Sequence, residues 1–158
     1  MDEILNIVWI TFLPFLELRA SIPYGILKAN LNWALVFLVC VVTNIILGAV
    51  LYPLIDTIIR IFTRIGFIDN LYRRYVRRTQ KRIDMYVKKY GYLGVAIFIG
   101  IPLPGSGVYS GALAAHLIGL DYKKFIIADI IGVLIAGIIV TIVSLTGVET
   151  FDFFIKII

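Results

Sequence analysis

Between Ala29 and Ile55 the chain runs for 27 residues without a Lys, Arg, Asp or Glu. A helix needs roughly 20 apolar residues to cross a hydrocarbon core about 30 Å thick. A second run, Phe125–Val148, is interrupted only by Asp129. Of the 158 residues 61% are hydrophobic and 16% charged, and mean hydropathy is +0.99. Soluble domains hold about 45–50% apolar and about 25% charged residues. Too few polar side chains remain to give a soluble core its skin. A soluble domain, a disordered chain and a disulfide scaffold are thereby excluded. The expectation is an all-α integral membrane protein, with residues 1–158 forming a single membrane domain.

Two further apolar blocks are broken near their midpoints. Ile4–Leu27 contains Pro14, Glu17, Arg19 and Pro23, and Tyr90–Leu120 contains Pro102-Leu-Pro104-Gly105-Ser106-Gly107. Arms of about a dozen residues reach only about 18 Å, little more than half the core. Two such arms joined at a Pro/Gly tip predict a re-entrant hairpin, whose irregular tip must be covered by protein or line a wet cavity.

Charge placement supports hairpins over plain spans. The net charge of +5 is uneven. Ten Lys/Arg between Arg60 and Lys89, offset by Asp69 and Asp84, give 10 − 2 = +8, and the rest of the chain carries −3. With hairpins, the acidic Asp2-Glu3 end and the tail with Glu149 and Asp152 lie outside. The basic stretch and Lys123-Lys124 then lie inside, as the positive-inside rule prefers. The predicted order is hairpin 4–27, transmembrane helix 29–59, basic linker 60–90, hairpin 91–120, transmembrane helix 124–148 and tail 149–158. The halves enter from opposite sides, an inverted repeat as in many secondary transporters. Internal similarity agrees: Ser21-Ile-Pro23-Tyr24-Gly25 with Ser106-Gly-Val-Tyr109-Ser-Gly111, and Leu31-Asn32-Trp33 with Leu120-Asp121-Tyr122. In the linker, Leu71, Tyr75, Ile83, Val87 and Tyr90 form one helical stripe among cations. That pattern suits a helix in the lipid headgroup region or a basic cap on the bundle, rather than a nucleic-acid surface.

Charged groups at membrane depth mark function by default. Glu17 and Arg19 in Glu17-Leu-Arg19-Ala-Ser21-Ile-Pro23-Tyr24-Gly25 are therefore the leading candidates. The alternative for them is a mutual salt bridge, or bonds to the carbonyls of the tip. In the second tip Pro102 and Pro104 forbid a continuous helix, and Gly105 and Gly107 permit close backbone approach. Ser106 is expected to cap the returning arm ahead of Tyr109, and Ser21 with Pro23 to do so in the first hairpin. Two helix N-termini would then face each other and, with Arg19, bind an anionic head group. The alternative is that these residues only shape tight turns. Asn44 either faces the tips or bonds between helices. Asp129 reads as an interfacial residue favoured by a helix N-terminus, with a proton relay as the alternative. His116 reads as interfacial, and Cys40 as a small buried hydrophobe without a disulfide partner. The acidic Met1-Asp2-Glu3 start lacks the basic region of a signal peptide, so the first segment is expected to be retained. No metal cluster, nucleotide loop or nucleophile–histidine arrangement occurs. No enzymatic activity, cofactor or metal is therefore expected.

These motifs, with Asn44, Ala112-Leu-Ala-Ala115 and Gly119-Leu-Asp121, resemble the small multidrug export family over nearly the whole chain. The layout is also similar to the DedA superfamily, which implies opposed re-entrant hairpins and proton-linked translocation of polyprenyl phosphate or other lipids. The chain departs from that pattern: no Arg or Lys lies between Tyr90 and Leu120, and a second acidic residue in the first hairpin has no counterpart. The leading expectation is a proton-coupled secondary transporter in the plasma membrane, a flippase-like carrier of an anionic lipid phosphate or similar amphiphile. Its partners would be membrane lipids, the substrate and protons. Two alternatives stand beside it. One is a small multidrug exporter of hydrophobic cations using Glu17, and the other an uncoupled lipid scramblase or scaffold. Two full spans enclose a site poorly, so a homodimer is expected.

Overall fold

Asn32 and Asp121 set where the two long helices begin. The Asn32 side-chain oxygen accepts the Ala34 N–H at 2.9 Å and its carbonyl accepts the Val36 N–H at 3.0 Å. Asp121 does the same for Lys123 at 3.1 Å and Phe125 at 2.9 Å. Both are N-caps, satisfying donors that a helix start leaves unpaired. The residue two positions before each cap turns the chain through the left-handed region: Asn30 at φ 50° and Gly119 at φ 69°. The repeated Leu-Asn/Asp-aromatic tripeptide thus has one local job in both halves, ending an arm and starting a long helix.

The structure, a computed structural model, describes residues 2–14, 16–64, 91–103 and 105–146. Pro104, most of the 60–90 linker and the 149–158 tail lie outside the described residues. Every regular element described is helical. They are α1 (Asp2–Phe12), α2 (Glu17–Pro23, continued by a π-helical turn Tyr24–Lys28), α3 (Trp33–Arg64), α4 (Tyr92–Gly100), α5 (Val108–Leu117) and α6 (Tyr122–Thr146). Within α3, Trp33–Ile55 is 23 residues and α6 is 25. At about 1.5 Å per residue each exceeds a core of about 30 Å. α1, α4 and α5 have 11, 9 and 10 residues, and reach only about half of it.

The short helices pair antiparallel. Thr11 of α1 meets Ser21 of α2 at 2.7 Å, and Tyr24 reaches back to Glu3 at 3.1 Å. α4 and α5 close on each other where Gly111 leaves room for Ile99. α3 and α6 are also antiparallel: Phe37 and Val41 lie against Gly137, and Tyr52 stacks on Phe125 with centroids 4.4 Å apart. The core joins Ile7, Leu18, Ile22 and Val36 to Ile99, Val108, Phe125 and Val133. Gly132 allows the closest approach of α6 to α4, since a Cβ there would lie 2.7 Å from the Ala96 carbonyl.

Two expected boundaries are corrected. α3 begins at Trp33, not 29, because the preceding residues form the turn and cap. It continues to Arg64, five residues into the stretch assigned to the linker. Pro53 lies inside it without ending it. Proline has no N–H to give the carbonyl four residues back, here that of Ala49. Tyr122 of α6 supplies the missing donor, its hydroxyl lying 3.2 Å from Ala49 O. Large apolar side chains cover the outer faces, Leu35, Leu38, Val42, Ile46, Val50 and Leu54 on α3 and Ile127, Leu134, Ile138 and Ile142 on α6. That is the surface a lipid solvent requires.

Candidate functional site

The chain leaves α1 through a tight turn and enters α2 at Glu17, whose φ is 47°. A residue with a Cβ in this conformation is strained by roughly 1–2 kcal/mol. The strain aims the carboxylate at the other half of the molecule. Oε2 accepts the Val108 N–H at 3.1 Å and Oε1 the Tyr109 N–H at 3.3 Å. These are the first two donors of α5, where a helix has unpaired N–H groups and a partial positive charge. The cap of α5 therefore comes from a residue 91 positions away. Gly107 makes room for it: a Cβ there would lie 2.5–2.8 Å from the carboxylate.

Arg19 follows one step along and serves the opposite helix end. Its Nη2 donates to Ile101 O at 3.3 Å, at the C-terminus of α4, and to Ser106 O, with Ser106 Oγ 3.2 Å away. A cation at a helix C-terminus and an anion at an N-terminus are the favourable pairings. The Glu-x-Arg spacing thus straddles one turn, residues 101–107, and places each charge on its complementary end. Arg19 Nε is buried without a hydrogen-bond partner among the described residues. Ser106 Oγ lies 2.6 Å from Ile101 O and 2.8 Å from Leu103 O, donating to one at a time, and so closes the turn. Pro102 sits half-buried in the same turn and Gly105 occupies the left-handed region at φ 76°. The Tyr109 hydroxyl donates to Phe12 O at 2.6 Å, tying α5 to the end of α1.

The expected capping roles are corrected. Ser106 does not cap α5; the N-cap is Gly107 and the capping oxygens are those of Glu17. Ser21 and Pro23 do not start the returning arm, because α2 begins at Glu17 and contains both. Ser21 instead lies in a buried cluster, 2.7 Å from Thr11 Oγ1 and 3.2 Å from Cys40 Sγ. Cys40 is thus a polar contact as well as a packed side chain. The backbone donors reserved for an anionic head group are taken by Glu17, and the Arg19 Nη2 donors by carbonyls.

Asn44 is 1% exposed with its amide N–H facing the Glu17 carboxylate, and its side-chain oxygen has no hydrogen-bond donor among the described residues. Asp129 is 0% exposed, packed between helices rather than at the protein surface. Its carboxyl group fits directly against Gly48 of α3, and neither oxygen has a hydrogen-bond partner among the described residues. His116 is far along α5, edge-on to Tyr52 at 6.2 Å. Thr11, Cys40 and Gly48 were not expected at the site. The four-residue spacing Cys40, Asn44, Gly48 is the signal that places them on one face of α3.

Searches among curated proteins and among solved structures found no match. A family model described as "Putative small multi-drug export protein" matches residues 17–139. The match starts at Glu17 and includes Arg19, Asn44, the 101–107 turn and Asp129. With two helices long and apolar enough to cross a bilayer, the chain is a membrane protein that belongs to the small multidrug export family.

Proposed function

We propose that the protein is a secondary exporter of hydrophobic cations, with Glu17 as the carboxylate that exchanges substrate for a proton between the two hairpins. The observation that supports this is the joint itself. One buried carboxylate, 3% exposed, links the start of α2 to the start of α5, and any charge change on Glu17 alters the contact between the halves. In this reading the α1–α2 and α4–α5 pairs are re-entrant hairpins of an inverted repeat in the plasma membrane. The residues between α3 and α4 are cytoplasmic and both chain ends external. The charge balance favours a cation: Glu17 and Asp129 against Arg19 leave the buried centre with net negative charge. The family's description as multidrug export proteins supports the export part of this reading.

The test is uptake of tetraphenylphosphonium by proteoliposomes under an imposed pH gradient. Wild-type protein is expected to accumulate it, and Glu17→Gln to lose at least about tenfold of the rate, the scale of one buried charge interaction. Undiminished uptake by Glu17→Gln contradicts the proposal. The second reading, transport of an anionic amphiphile, is favoured by the buried Arg19 Nε, unpartnered among the described residues. It predicts transfer of a fluorescent polyprenyl phosphate in the same vesicles. Lipid transfer indifferent to the gradient and to Glu17→Gln would instead indicate an uncoupled scramblase.

A further inference from the structure

The unexplained group in this core is Asp129. It is the eighth residue of α6, beyond the reach of the helix N-terminus, which acts only over the first turn. It caps nothing, and both its oxygens lack a hydrogen-bond donor among the described residues. A carboxylate taken out of water without a partner loses its hydration with nothing in return. The surroundings are shaped around it nonetheless. α3 presents Gly48 at this point, where any larger residue would overlap the carboxyl group. One helical turn away on the same face of α3 is Asn44, also buried, whose amide N–H faces the Glu17 carboxylate and whose side-chain oxygen has no hydrogen-bond donor among the described residues. Beyond Asn44 lies Glu17. α4 carries no ionisable side chain from Leu93 to Gly100, and α5 none from Ser110 to Ala115.

Charge counting identifies what fits. Glu17, Arg19 and Asp129 sum to −1 when ionised, and Glu17 already has two backbone donors and a neighbouring guanidinium. The uncompensated charge is that of Asp129. The oxygens available are two carboxylate atoms and one amide carbonyl, the hard donors that suit an alkali cation or a proton. We propose that Asp129 and Asn44 form the seat of a single monovalent cation, a sodium ion or a proton, next to Glu17. That this cation assists the exchange at Glu17 rests on the exporter reading above; its binding does not.

Binding is therefore measured without transport, on the full-length protein in detergent micelles. Radioactive sodium is titrated by scintillation proximity, and proton uptake by potentiometric titration of the same samples. The expected result is one cation per chain, seen either as saturable sodium binding or as one additional titrating proton. Asp129→Asn is expected to abolish it. Asn44→Ala, which removes the neighbouring oxygen and keeps both carboxyl groups, is expected to weaken it about tenfold. Sodium that raises the wild-type melting temperature relative to choline at equal ionic strength would support the sodium form through binding to the folded state alone. Wild-type protein that binds no sodium, and whose proton titration is unchanged by Asn44→Ala, overturns the proposal. So does unchanged binding in whichever of the two variants folds. A protein that binds the cation but moves no tetraphenylphosphonium keeps this inference and loses the proposed function. One that moves it, with cation binding indifferent to Asp129→Asn, does the reverse.

Discussion

At the scale of single residues, the centre of the molecule is an exchange of charges for helix ends. Glu17 satisfies the N-terminus of α5 and Arg19 the C-terminal carbonyls around α4, so each is held by backbone rather than by the other. That arrangement makes Gly107 sensitive out of proportion to its size. Gly107→Ala would set a methyl group 2.5 Å from Glu17 Oε2, and overpacking of this kind costs about 1–3 kcal/mol. The expected outcome is a lower melting temperature and a several-fold loss of tetraphenylphosphonium uptake. Ser106→Ala removes only the hydroxyl that closes the turn, and its expected cost is about 1 kcal/mol, read from the same melting curves.

Much of this site was legible in the sequence, because a Glu, an Arg and a Pro/Gly-rich break are each costly inside an apolar block that meets lipid. The capping was not legible. Ser106 and Ser21 have the right chemistry for N-caps, but the oxygens that cap α5 arrive from Glu17, across 91 positions. The burial of Asp129 was equally hidden. Its position early in α6 gives no sign that Gly48 of the antiparallel α3 will be packed against it.

At the scale of elements, the paired motifs carry the design. Leu31-Asn32-Trp33 and Leu120-Asp121-Tyr122 each end a short arm and cap a long helix, which is why so short a likeness was informative. Asn32→Ala and Asp121→Ala are each expected to cost about 1 kcal/mol, measured by thermal unfolding in detergent. Pro53 shows how one helix depends on another. Its missing N–H leaves Ala49 O to the Tyr122 hydroxyl, so Tyr122→Phe should destabilise the protein by about 1 kcal/mol. In a Pro53→Ala background residue 53 regains its N–H. The cost of Tyr122→Phe should then shrink, a coupling that a double-mutant cycle measures directly. Equal costs in both backgrounds would remove the proposed link.

At the scale of the whole molecule, α3 and α6 cross antiparallel, and the buried polar groups lie along the seam. Cys40, Asn44 and Gly48 follow one another at four-residue steps on α3, and meet Ser21, Glu17 and Asp129 in turn. The proposed inverted repeat would place Glu3 and Leu120 on opposite membrane sides. Single cysteines at these positions, in a Cys40→Ala background, should label from opposite faces with a membrane-impermeant maleimide. Labelling from the same face would refute the orientation.

The central claim is that Glu17 exchanges a proton for the substrate cation at the joint between the halves. Proteoliposomes loaded with a pH-sensitive dye test it most directly, with tetraphenylphosphonium added outside and no imposed gradient. Wild-type protein should move protons outward as the cation enters, and Glu17→Gln should give no substrate-dependent pH change. A Glu17→Gln protein that exchanges protons for the cation at the wild-type rate would contradict the account.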